Sequence, residues 1–267
     1  MTEGEKPARS STARSRELGE ELRRLRVRAG LTGVGLADDL EWSAAKVSKL
    51  EKGCRGTSEG EIGALLGRCG ADKATRERVF RLAGVPDVGW FARSHREEPA
   101  DELVCLAVHE PAALTVDCYE PMVVPALAQS WGYARALLGS DPAARMRRQA
   151  ALSATAVFYV HELALHLTIG DSRVMYEQML KLVLLGTARV VPISAGGHWT
   201  LRFPSTVMTF GPGVAPVVCT ETDTATAFLD DQRAVRSYQD KHAVLDGLAL
   251  SVERSREVFL RWAEVYR

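Results

Sequence analysis

The chain has no run of about 18 consecutive apolar residues, the length that a membrane-spanning helix needs. Its first residues, MTEGEKPARSSTARSRE, hold no apolar stretch, so no secretory signal is read there. A cytoplasmic, nucleoid-associated protein without a membrane partner is expected. Cysteine is scarce: Cys54, Cys69, Cys105, Cys118 and Cys219 are odd in number, scattered and without a CxxC pair. That pattern suits a protein of a reduced compartment better than a disulfide or zinc framework. Net charge is also missing, with 34 Lys+Arg against 34 Asp+Glu, which at first sight argues against a polyanionic partner. What is present is an ordinary folded composition: 267 residues, 46% hydrophobic and 25% charged, enough for one large domain or two smaller ones.

The charge balance conceals an asymmetry. Residues 1–84 carry 17 basic and 13 acidic groups, a surplus of +4, and residues 85–267 carry 17 basic and 21 acidic groups, −4. A basic N-terminal part suits nucleic acid and an acidic C-terminal part does not.

The basic part carries a motif. Leu18, Leu22, Leu25 and Ala29 fall at i, i+4, i+7 and i+11, one apolar helix face, and Gly30 closes that helix. Thr32 can cap a short helix through Leu40, and Ser43 a second over Ala44–Glu51, closed by Gly53. Two short helices joined by a three-residue turn make a helix-turn-helix. Ala37 is small enough for the helices to cross closely. Leu36, Leu40, Val47 and Leu50 fall toward the core. Glu41 stands where the turn favours glycine for a positive φ, at a cost on the order of 1 kcal/mol. On the outward face, Ser43, Ala44, Ala45, Ser48 and Lys49 are suited to base edges in a major groove. Lys46, Lys52 and Arg55 are suited to phosphates, and Thr32 at the start of the first short helix completes the candidate DNA-binding set. A solvated basic face on a helical bundle is the plainer alternative.

LGEELRRLRVRAGLT, LADDLEWSAAKVSKLEKG and the helix that follows, over residues 16–84, resemble the Xre/Cro-type helix-turn-helix regulators. The resemblance implies a five-helix, lambda-repressor-like domain and dimeric binding to a two-fold-related operator in double-stranded DNA. Gly33 stands where the family often has a backbone-contacting Gln. Residues 1–14 are expected to be a disordered basic arm ahead of a DNA-binding domain over 15–85, with Arg9, Arg14 and Arg16 either reaching DNA or forming a soluble tail.

Residues 86–102, with Pro86, Gly89 and Pro99 among charges, read as a linker. Residues 103–120 read as strand or loop around Pro111. Helices are expected over 129–139, 141–153 and 171–186, and strands at AVFYVHE, ARVVPIS, STVMTFG and APVVCTET. Two closing helices are expected from Ala225 onward. Residues 103–267 therefore form an α+β domain with a small mixed or antiparallel sheet.

Three tempting signals there fail on spacing. His161 and His166 are five residues apart, about 140° out of line on a helix, whereas a zincin needs i, i+4. Asp171 and Ser172 read as helix-cap chemistry. Gly211-Pro212-Gly213 lacks the helix and Lys of a phosphate loop. No catalytic residue, metal or cofactor is assigned, and no enzymatic activity is expected. The loop Gly196-Gly197-His198-Trp199 either meets a partner or packs Trp199 on the core.

YEPMVVPALAQSWGYARALL, RMRRQAAL, HELALHLTIGDSRVMYEQMLKLVLL, VVPISAGGHW and SYQDKHAVLDGLALS follow one another in an order that resembles the actinobacterial WhiJ-like group. That group joins an Xre-type domain to a C-terminal domain of unknown function. PALAQS (125–130) and HELAL (161–165) depart from its usual sequence. The resemblance implies transcription control in development or antibiotic production. It also implies a small toxin- or antitoxin-like partner protein encoded next door. That partner would dock on the loops around Val124–Tyr133 and Gly196–Trp199. The alternative is a small-molecule ligand held by Gln129, Tyr133, Arg148, Gln149 and His198.

Overall fold

The computed structural model describes residues 11–54, 56–96 and 99–267. Five helices come first: α1 (Ala13–Arg28), α2 (Gly33–Asp39), α3 (Ala44–Glu51), α4 (Glu59–Arg68) and α5 (Lys73–Gly84). Each starts on a side-chain cap, Thr12, Thr32, Ser43, Ser58 and Asp72 respectively, which satisfies a backbone N–H that the helix itself cannot. Leu18, Leu22, Leu25, Leu36, Ala37, Val47, Leu50, Ile62, Leu65 and Leu66 fill their common core. Ala29, expected on that face, caps α1 and is exposed, because α1 stops at Arg28.

The rest is built on one sheet, β1 (Trp90–Ser94), β2 (Thr115–Glu120), β3 (Thr155–His161), β4 (Ala188–Val191), β5 (Ser205–Thr209), β6 (Val217–Glu221) and β7 (Ala225–Leu229). Their order is β1-β7-β6-β5-β2-β3-β4. β2, β3 and β4 are parallel, and every other pair is antiparallel. Helices α6 (Val104–Ala112), α7 (Trp131–Leu138), α8 (Ala143–Ala151), α9 (Leu163–His166), α10 (Ser172–Leu185), α11 (Gln232–Leu248) and α12 (Val252–Tyr266) complete the domain. The mixed sheet agrees with the α+β expectation and is larger than expected.

Three local readings are corrected. The stretch read as a linker contains β1, which pairs with β7 from Trp90↔Leu229 to Ser94↔Ala225. Residues 104–112 are helical, with Pro111 in the last turn. Ala225–Leu229 is a strand, and the helix expected there begins at Gln232.

The strand directions give the sheet two rims. One holds the C-terminal ends of β2, β3 and β4 and the segment entering β5. The other holds the β5–β6 turn and the end of β7. α1 docks at this second rim. Ser11 bridges Val214, the Ala13 N–H donates to Asp230 Oδ2 at 2.6 Å, and Arg16 lies 5.1 Å over the Phe210 ring. Ala13 is buried in the sheet domain's core while Leu18 and Leu22 are buried in the helical one. The expected basic arm is therefore corrected from Ser11 onward. Arg14 donates to the carbonyls of Leu82 and Ala83, and Arg16 Nε donates to His109 Nε2 at 2.8 Å. Residues 1–10, including Arg9, lie outside the described residues. Among the described residues no helix is long and apolar enough to cross a membrane.

Candidate nucleic-acid interface

The turn between α2 and α3 is as the sequence requires. Glu41 has φ 54°, and among the described residues it is the one non-glycine residue with a positive φ. The Trp42 N–H then returns to the Ala37 carbonyl at 2.8 Å, which closes the turn over the buried Ala37. Val47 and Leu50 bury one side of α3. The other side presents Ser43, Ala44, Ala45, Ser48 and Lys49, all exposed, as one contiguous surface of small groups and one cation.

What fixes α3 against α1 is a glycine that periodicity alone overlooks. A Cβ on Gly19 would lie 2.3 Å from the Glu51 carbonyl oxygen, so only glycine permits this crossing. A glycine inside an otherwise amphipathic helix was the available signal. Arg26 pins the same end of α3 by a two-nitrogen ion pair to Glu51, at 2.6 and 3.0 Å. Gly53, φ 66°, lets the chain leave α3 against Ser15 and Arg16, where a Cβ would meet backbone at 2.5 Å.

The cations of the candidate DNA-binding set separate into two kinds. Lys46 is held within the fold, 2.8 Å from Glu61 and 3.9 Å over the Trp42 ring, and is only half-exposed. Lys49 and Lys52 are exposed, and their ammonium groups make no ion pair among the described residues. Arg55 lies outside the described residues. The Thr32 and Ser43 oxygens accept from Gly35 N and Lys46 N, so their hydroxyl protons remain available to an external acceptor.

Of the residues proposed for a ligand in the acidic half, Arg148 lines a cleft of 410 Å³ beside Asp101 and Glu110, and Gln129, Tyr133 and Gln149 are engaged within the fold. Gln129 donates to the Val124 carbonyl and accepts from Arg145 at 2.6 Å. Tyr133 accepts from Val124 N, and burial pushes its hydroxyl pKa up to about 12. Gln149 donates to the carbonyls of Ala126 and Gln129 and accepts from Lys181 at 2.6 Å. Arg148 pairs with Glu110 and Asp101. This network satisfies buried backbone groups of residues 124–130, a structural task. His198 and Trp199 lie apart from it. The His198 ring bonds Thr200, and Trp199 is 59% exposed, so it does not pack into the core.

At the boundary between the halves, Glu17 and Arg93 form an ion pair with contacts of 2.6 to 3.0 Å. Burial raises the Glu17 pKa and Arg93 opposes that rise. Beside them, His109 is fully buried. Its Nδ1–H donates to the Cys105 carbonyl at 2.6 Å while Nε2 accepts from Arg16. Burial, with Arg16 adding to it, lowers its pKa to about 3, so the ring is neutral.

A model described as a helix-turn-helix domain matches residues 17–79. A model described as a domain of unknown function (DUF5753) matches residues 103–261. Among curated proteins, none matches the chain.

Proposed function

Because the chain belongs to the DUF5753 family and carries a helix-turn-helix domain ahead of it, we propose that it is a sequence-specific transcriptional regulator. In this reading it binds a two-fold-related operator as a homodimer. The observation that carries the reading is α3: its exposed side holds only small groups and Lys49, its buried side is locked by Gly19 and Arg26, and Glu41 keeps the strained turn. Ser43, Ala44, Ala45, Ser48 and Lys49 read bases, and Lys52 and Thr32 hold the backbone.

The test is a gel shift on the DNA upstream of the gene for this chain. Binding should weaken as salt rises, because phosphate contacts release counterions. Lys49→Ala should flatten the preference among operator variants. Lys52→Ala should weaken all sequences alike and lower the salt slope by about one. No shift at low salt would sink the reading.

The same reading gives the second domain a receiving role, met by a small partner protein. Its support is the rim away from α1, where Met122, Ile193, Trp199 and Phe203 are all exposed. Large apolar side chains gathered on one rim suit a protein contact better than solvent. Co-purification from native cells with wild-type chain and with Trp199→Ala tests it, and a partner retained equally by both would contradict it.

A further inference from the structure

α1 carries a charged face that the contacts between the two halves leave only partly used. Gly19 lies against α3, and at 100° per residue Arg24 and Arg28 fall about 140° and 180° further round the helix. They project away from α3, toward α5 and the start of α6. A cleft of 520 Å³ opens there, and Arg23, Arg24, Arg28 and Arg78 line it. Its volume is in the range of small-molecule sites, roughly 300 to 1,000 Å³.

The charges in this cleft do not cancel. Glu21 is buried, and Arg78 takes its carboxylate at 2.5 Å. Glu20 accepts from two nitrogens of Arg23 but from Arg24 only through Nε. Among the described residues the terminal amino groups of Arg24 make no hydrogen bond, and Arg28 makes no ion pair and meets Asp72 only as a more distant charge. Of the four guanidiniums, Arg23 and Arg78 are thus taken up by Glu20 and Glu21. Val27, 53% exposed, supplies an apolar surface beside them, and the buried Val104 closes the floor of the cleft. A planar guanidinium fork matches phosphate oxygens two at a time, so the forks of Arg24 and Arg28 together suit an anion with more than one phosphate.

We propose that this cleft binds a small molecule bearing two or more phosphate groups, held by Arg24 and Arg28, with its apolar body on Val27 and Val104. Three lining arginines and Arg78 belong to the helix-turn-helix domain, whereas Val104 belongs to the sheet domain. Occupancy therefore stabilises the docked arrangement of the halves. The site stands on its own geometry; only its use as an input to DNA binding rests on the reading above.

The experiment is thermal unfolding of the full chain in increasing pyrophosphate, at ionic strength held constant with sodium chloride and with no DNA present. The midpoint should rise with concentration, as for any ligand selective for the native state. The rise should vanish in Arg24→Ala/Arg28→Ala and persist in Lys49→Ala, which lies on the other side of α1. No rise in the wild type, an equal rise in the double variant, or an equal rise with citrate would overturn the proposal. Should the double variant not fold, Arg28→Gln removes a guanidinium that makes no ion pair among the described residues. Calorimetry should then find pyrophosphate binding weakened at least tenfold, and undiminished binding would overturn the proposal. Since DNA is absent throughout, failure of the regulator reading would leave these results unchanged.

Discussion

Truncating Arg93 to alanine should destabilise the chain out of proportion to the atoms removed. Glu17 is 4% exposed, and the Arg93 guanidinium meets both its oxygens, at 2.6 to 3.0 Å. Without Arg93 the carboxylate is left, among the described residues, with the more distant field of Arg78, which Glu21 opposes. Removing one partner of a buried pair costs roughly 3–5 kcal/mol, and water reaching the partly exposed Arg93 side lowers this to about 2–3 kcal/mol. The cost belongs to the stranded charge, so Glu17→Gln/Arg93→Ala should return to within about 1 kcal/mol of wild type. The pH dependence has a definite sign. An acid whose folded pKa exceeds its ordinary 4.5 holds its proton more tightly in the native state. Its penalty therefore grows as pH rises above 4.5 and shrinks on acidification. Loss of Arg93 enlarges that penalty, so the deficit of the single variant should be greater at pH 7.5 than at pH 5.5. Urea titrations followed by circular dichroism at both values measure it. A cost below about 0.5 kcal/mol at pH 7.5, or a double variant no more stable than Arg93→Ala, would refute the reasoning.

Two further effects are expected. Glu41→Gly should raise stability by about 0.5–1 kcal/mol, the left-handed penalty less the extra chain entropy of glycine, read from the urea midpoint. His109 has a folded pKa near 3 against an ordinary 6.5, so the stability it contributes is complete above pH 6.5 and is lost as pH falls toward 3. Its share is on the order of 1.4 kcal/mol per pH unit in that window. His109→Gln should flatten that part of the acid unfolding curve, and an unchanged slope would contradict the assignment.

The helix-turn-helix was legible because its determinants are local. Caps at Thr32 and Ser43, a small residue at 37 and a breaker-like position at 41 all act within a few residues of themselves. The strand β1 was not legible for the opposite reason. Its partner β7 stands about 135 residues away in sequence, and its own composition, between Gly89 and charged neighbours, resembles a loop. β7 was lost in the same way, since its five residues run directly into the Asp231 cap of α11. Gln129, Tyr133, Arg148 and Gln149 were singled out correctly as polar groups inside an apolar domain. Composition cannot say whether such groups face a ligand or the fold itself: here Gln129, Tyr133 and Gln149 bond the backbone of residues 124–130, and Arg148 pairs with Glu110 and Asp101.

A border between modules is commonly a point along the chain, where evolution can cut and splice. In this molecule the border runs lengthwise through α1, whose Leu18 and Leu22 side serves one half while Ala13, Arg16 and Glu17 serve the other. No single cut separates them. A helix-turn-helix borrowed from another regulator would arrive with the wrong outer face and meet Phe210, His109 and Arg93 without partners. The two halves are thus coupled through one helix, and a substitution on either side of α1 sets the terms for what the other side can tolerate.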